Sequence, residues 1–270
     1  MRFEKALLIL LTLIVSLATC ARQTTAQTTP SAKAYQQMSS TEQSAFVSEQ
    51  AKRVAREMSG SEYEFTPDFI TNIQQSVDQY ARRIGGNSGK TDVRLVLQRG
   101  QAQAPALIAV FKARNVSPLI GLYIPWVESE YVNISAPNSM GAIGMFQFLP
   151  KTGQRFGLSS ADLLDVPKSA DAAARFINDG LKQFDDDPMK EALALLAYNR
   201  GYNQTVRDLK ATVNDQNKQC SICALTAASS KLDSTFQNES VYYVPRFFAA
   251  AIIGENPQAF GLQSQPLSSN

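Results

Sequence analysis

Histidine is missing altogether from this 270-residue chain. That absence excludes chemistry built on an imidazole, including the serine–histidine–aspartate triad and the usual histidine-ligated zinc hydrolase. If the protein is an enzyme, its proton transfers fall to Glu, Asp, Lys, Tyr or Cys. Cysteine is nearly missing too, with only three residues, Cys20, Cys220 and Cys223. Charge is sparse at 19% and close to balanced at +2. That is too even for nucleic-acid binding, and no Lys/Arg stripe with interleaved aromatics appears. Period-two apolar runs and internal repeats are absent as well, which argues against a β architecture. What is present is apolar residue, 44% of the chain, enough for a core in one or two domains.

The N-terminus reads as a targeting segment. Arg2 and Lys5 flank an apolar run from Ala6 to Ala18. The run is too short to span a bilayer comfortably and fits the apolar region of a secretory signal. It ends Leu17-Ala18-Thr19-Cys20, which is similar to a bacterial lipobox, so Cys20 is a lipidation candidate. Thr19 departs from the small residue usual before such a cysteine, and ordinary signal cleavage stays open. With Cys20 set aside, Cys220 and Cys223 remain as an even pair. In an exported protein a local disulfide is expected of them rather than a metal site.

The remaining chain is read as mainly α. Residues 1–20 form the export signal and 21–41 a flexible linker rich in Thr, Gln, Ser and Ala. Residues 42–114 form a helical N-terminal region, 115–255 the domain that carries the chemistry, and 256–270 a polar tail. Thr66-Pro67 opens a helix with an N-cap followed by proline at the first helical position. Two short helices are expected, around 92–99 and 105–114. Ser117-Pro118 starts a helix that holds Glu128, and Pro125 inside it removes the donor for the Gly121 carbonyl and predicts a kink.

Two acids compete on that helix. On a helical wheel Ile120, Ile124, Val127 and Tyr131 make one stripe, with Glu128 on one edge and Glu130 on the other. An apolar setting disfavours the charged carboxylate and prepares a general acid. Periodicity alone does not choose between the two, and it gives Glu130 the more apolar neighbours. Downstream, Gly141 and Gly144 permit tight turning, Gln147 offers an amide, and Ala197-Tyr198-Asn199 places two polar tips at a helix end. Glu239 and Tyr243 stand at the start of a later aromatic-rich helix.

Together, in this order, these motifs resemble the lytic transglycosylases with the goose-type lysozyme fold, and most nearly the membrane-bound murein transglycosylase D group. The resemblance covers about residues 93–254 and rests on Glu128-Ser129, the 139–144 run, Gly144-Met145-Phe146-Gln147, Pro150-Lys151-Thr152, Ala197-Tyr198-Asn199 and Tyr243-Val244-Pro245. It implies a lysozyme-like transglycosylase domain with a helical N-terminal extension, working without cofactor or metal on peptidoglycan strands. It implies that Glu128 is the single acid/base, with Ser139, Met145, Gln147, Tyr198, Asn199 and Tyr243 on the substrate and Ser129 and Glu239 in support. Phe146 stands where the family varies. The implied product is a 1,6-anhydro sugar. A hydrolytic lysozyme or chitinase and a non-catalytic murein-binding protein are the alternatives. The expected location is the periplasm or cell envelope, anchored through an N-terminal lipid if Cys20 is modified, with no nucleic-acid partner.

Overall fold

Why the molecule organises around one segment follows from its apolar content. Every residue from Leu119 to Trp126 is buried, so this helix must be covered on all sides. A computed structural model describes residues 33–86 and 88–270. The expected export signal, Cys20 and much of the expected linker lie outside the described residues. Eleven α-helices occur among the described residues: α1 Ser40–Ser59, α2 Pro67–Ala81, α3 Val93–Ala113, α4 Pro118–Ser129, α5 Pro150–Arg155, α6 Val166–Gln183, α7 Lys190–Arg200, α8 Tyr202–Thr212, α9 Ser221–Ala227, α10 Ser234–Asn238 and α11 Tyr243–Glu255. No strand occurs among them; an isolated antiparallel bridge joins Ile143 and Phe148.

The covered helix is α4, and it packs against α3 and α11. Gly121 makes the first contact close: a Cβ there would lie 2.4 Å from the Phe111 ring of α3. Any larger residue would push the two helices apart. On the other side α11 is buried from Tyr243 to Glu255, apart from Arg246. α1 and α2 lie on α11. The Tyr63 hydroxyl donates to Glu191 of α7 at 2.8 Å, and Arg53 donates to Asn256 at 3.1 Å. The boundary expected at 114/115 therefore runs through a shared core.

Helix starts follow local chemistry. Ser39 and Glu42 form a reciprocal capping box on α1. Thr66 accepts from the Phe69 N–H with Pro67 in the first turn, as read from the sequence. Asp92 caps α3. The two short helices expected over 92–99 and 105–114 are one helix, α3. Pro105 is exposed and Gln101, whose carbonyl loses its donor, is half-buried, so water can satisfy that oxygen while Ala104, Leu107, Ile108 and Phe111 keep the buried stripe.

The expected polar tail is packed. Phe260, Leu262 and Leu267 are buried, and Phe260 meets the rings of Tyr35 and Phe46. Leu267 sits against Gly100 of α3. Beside it, Glu255 accepts from the Ser268 N–H at 3.2 Å, from the Ser268 hydroxyl, and from the Tyr123 hydroxyl of α4 at 2.5 Å. Cys220 and Cys223 are joined in a disulfide, and the Thr66 N–H donates to the Cys223 sulfur at 3.4 Å.

Candidate active site

α4 ends where the chain must turn, and this separates the two candidate acids. Ser129 is the last helical residue, and Glu130 adopts the left-handed conformation at φ 53°. Its carboxylate pairs with Arg83, and its carbonyl accepts from Arg99. Glu128 stays on the helix and lines a cleft of about 460 Å³. The wheel misjudged the pair because Glu130 is no longer helical, so a 100° step does not place it.

The loop after α4 is held to the helix by polar contacts. Ser129 donates to the Met145 carbonyl at 2.7 Å. Asn133 accepts from the Met145 N–H at 3.1 Å and donates to the Leu164 carbonyl at 2.7 Å. Gly144 has φ 80° and runs so close to the following segment that a Cβ would lie 2.3 Å from the Leu163 carbonyl oxygen. Only glycine satisfies both conditions. Gln147 also adopts positive φ, 47°, and its amide donates to the Gly144 carbonyl at 2.8 Å. Its carboxamide oxygen accepts from Asn138 at 3.4 Å. The Tyr198 hydroxyl of α7 donates to the Phe146 carbonyl at 2.8 Å, closing the loop against the opposite wall.

Glu128 is enclosed by protein with one edge open to the cleft. The Tyr243 hydroxyl donates to its Oε1 at 2.7 Å, its only side-chain hydrogen bond among the described residues. Burial pushes its carboxyl from the ordinary 4.5 up to about 7; the Tyr243 hydrogen bond opposes this and the Glu239 charge adds to it. The same burial holds the Tyr198 and Tyr243 hydroxyls well above the usual tyrosine range, and the Glu128 charge adds to both. Both tyrosines are therefore neutral donors, and Glu128 is an oxygen acid poised near neutrality.

The sequence-derived residues divide into three groups. Gln147, Tyr198, Asn199 and Glu239 line the cleft with Glu128, and Tyr243 reaches Glu128 from α11. Asn199 donates to Glu239 at 3.3 Å and accepts from Ser240 at 2.8 Å. Ser129 acts behind the wall, on the loop. Met145 and Ser139 differ from expectation. Met145 is buried at 2% exposure and contributes its backbone, because its neighbours Gly144 and Phe146 fix the loop through their own backbone contacts. Ser139 is exposed between Asn138 and Met140, which line the cleft in its place. Thr152, Arg155, Phe176 and Tyr202 also line it and were not read from the sequence. Thr152 and Arg155 are i and i+3 on α5, a helix whose start at Pro150 looks like a segment end in sequence.

A helical core that buries one glutamate-bearing helix and opens its carboxyl onto a polar and aromatic cleft is the arrangement expected of a lysozyme-like transglycosylase domain. Residues 106–221 match the family described as "Transglycosylase SLT domain". Membrane-bound lytic murein transglycosylase D of Escherichia coli strain K12 is 28% identical over 156 residues, 56% of this chain and 31% of that protein. The protein of the same name from Escherichia coli O6:H1 matches equally. The chain thus spans 31% of the length of the curated relatives it matches. Among the described residues no helix is long and apolar enough to cross a membrane.

Proposed function

We propose that the protein is a peptidoglycan lytic transglycosylase in which Glu128 is the acid and then the base. One observation carries this reading: the Glu128 carboxyl, pushed up to about 7, faces the cleft with one hydrogen bond and one unoccupied edge. In its neutral form Glu128 protonates the oxygen between N-acetylmuramic acid and N-acetylglucosamine, and that bond breaks. The substrate's own acetamido group relieves the charge at C1. The Glu128 carboxylate then takes the proton of the muramic C6 hydroxyl as its oxygen attacks C1. The product is a 1,6-anhydro sugar, and Glu128 ends protonated for the next cycle. Tyr243 fixes the rotamer of Glu128, while Gln147, Tyr198 and Asn199 position the sugar and its acetamido group.

Glu239 favours a second reading. A hydrolytic glycosidase uses two carboxylates, one activating water, and Glu239 shares the cleft and adds its charge to Glu128. Mass spectrometry of digested murein separates the two. Non-reducing products one water lighter are expected; reducing ends alone would contradict the transglycosylase. The location that goes with this reading is the cell envelope, with export through residues 1–20 and a lipid on Cys20, checked by the intact mass of the mature protein.

A further inference from the structure

Four charged side chains line the cleft: Glu128, Arg155, Arg200 and Glu239. Three have a side-chain partner. Glu128 holds Tyr243, and Glu239 accepts from Asn199. Arg200 has a side chain only 5% exposed and is paired with Asp208 at 2.9 Å and Asp233 at 2.5 Å. Arg155 is exposed, and among the described residues no carboxylate lies within ion-pair distance of it. Arg155 is thus the charged group of this lining that has neither a hydrogen-bond nor an ion-pair partner among the described residues.

The position of that cation is defined by a row of rings. Tyr198 packs on Phe176 at 5.2 Å between centroids, and Phe176 stacks on Tyr202 at 4.5 Å and 19°. All three line the cleft. The Arg155 guanidinium lies 6.0 Å over the Phe156 ring, which meets Phe176 of the row at 6.1 Å between centroids. At the Tyr202 end burial raises the hydroxyl above its ordinary range, the Asp179 charge adds to this and the Arg155 charge opposes it. The Tyr202 hydroxyl is already spent on the Phe176 carbonyl, so the row offers flat apolar surface and Arg155 supplies the polar contact at its far end. Thr152, one turn before Arg155 on the same face of α5, adds a hydroxyl.

We infer that Arg155 is a specificity-determining residue that binds a carboxylate carried by the substrate, at the end of the aromatic row away from the scissile bond. This rests on the peptidoglycan reading. Muramic acid supplies such a carboxylate in two ways, on the acidic residues of its peptide substituent or on the bare lactyl group where the peptide has been removed. A guanidinium holds either one bidentately.

Binding keeps this test separate from turnover. Glu128→Gln and the double variant Glu128→Gln, Arg155→Gln are titrated with three soluble murein glycans: peptide-bearing, peptide-stripped with the lactyl carboxylate free, and stripped with that carboxylate amidated. The expected result is a loss of about tenfold in the preference for a carboxylate-bearing glycan over the amidated one, about 1.4 kcal/mol. Arg155→Lys restores part of it. Loss confined to the peptide-bearing glycan assigns the peptide carboxylate, and loss confined to the free lactyl glycan assigns the lactyl group. Equal weakening on all three, or no weakening on any, overturns the inference. Product analysis of the wild type decides the transglycosylase reading independently.

Discussion

Two tyrosine–glutamate pairs join α4 and α11 in opposite senses. Tyr243 of α11 donates to Glu128 of α4 at 2.7 Å, and Tyr123 of α4 donates to Glu255 of α11 at 2.5 Å. Both carboxyls sit inside the helical core, but their surroundings differ. Glu255 is 5% exposed and receives the Ser268 hydroxyl and N–H as well as Tyr123. Glu128 is less buried by area, receives Tyr243 alone among the described residues, and opens onto the cleft. Under the proposed mechanism, depth of burial therefore does not distinguish the working carboxyl from the structural one. Saturation of its oxygens does. A carboxylate held by three donors is a joint between segments, and one held by a single donor keeps an oxygen for a substrate.

The comparison breaks most visibly through Glu128→Gln. Murein turnover is expected to fall by about 10²–10⁴-fold, the size of a lost general acid, while murein binding persists in a pull-down. Burial favours the neutral carboxyl, so stability present below the ordinary 4.5 is lost as pH rises through about 7. The glutamine variant is accordingly the more stable protein at pH 8, by about 3 kcal/mol, and equals wild type near pH 4 in urea melts. Undiminished turnover in this variant would remove Glu128 from the chemistry.

Glu255→Ala is the converse. It strands the Tyr123 hydroxyl and frees the segment around Ser268, so unfolding in urea should shift by about 1–3 kcal/mol. The kcat of the folded fraction stays near the wild-type value. Lost turnover with an unchanged midpoint would invert the two roles. Tyr243→Phe is expected to lower kcat about tenfold, the worth of one hydrogen bond to a buried group. It should also move the alkaline limb of the pH–rate profile upward, because that hydrogen bond lowers the Glu128 pKa. Glu239→Gln should give the smallest effect, a shift of the same limb downward, since the Glu239 charge raises it. Shifts in the same direction for both variants would contradict the assignment of causes.

Much of this was legible in the residues, and the exceptions have physical reasons. The Thr66-Pro67 start and the α4 start at Pro118 were readable because caps and proline act locally. The unbroken α3 was not, because whether Pro105 ends a helix depends on which face meets solvent. Leu267 sits among Gln, Ser and Pro, and its burial depends on the gap at Gly100, a partner distant in sequence. At the site, the motif order selected Glu128 where the wheel did not. Met145 and Gln147 share one motif, yet only Gln147 puts its side chain in the cleft wall, since the loop's positive-φ residues set the direction of each side chain. Arg155 carried no motif. Its availability shows only once the cleft's other cation, Arg200, is seen to be paired with Asp208 and Asp233.

The carboxyl carbon of Glu128 can be followed directly by NMR in protein labelled at glutamate, with Glu128→Gln assigning the resonance. An inflection near pH 7 is the expected result, with the neutral acid dominant below it. Titration near the ordinary 4.5 would mean an ionised carboxylate at neutral pH, and would contradict the role of Glu128 as the proton donor.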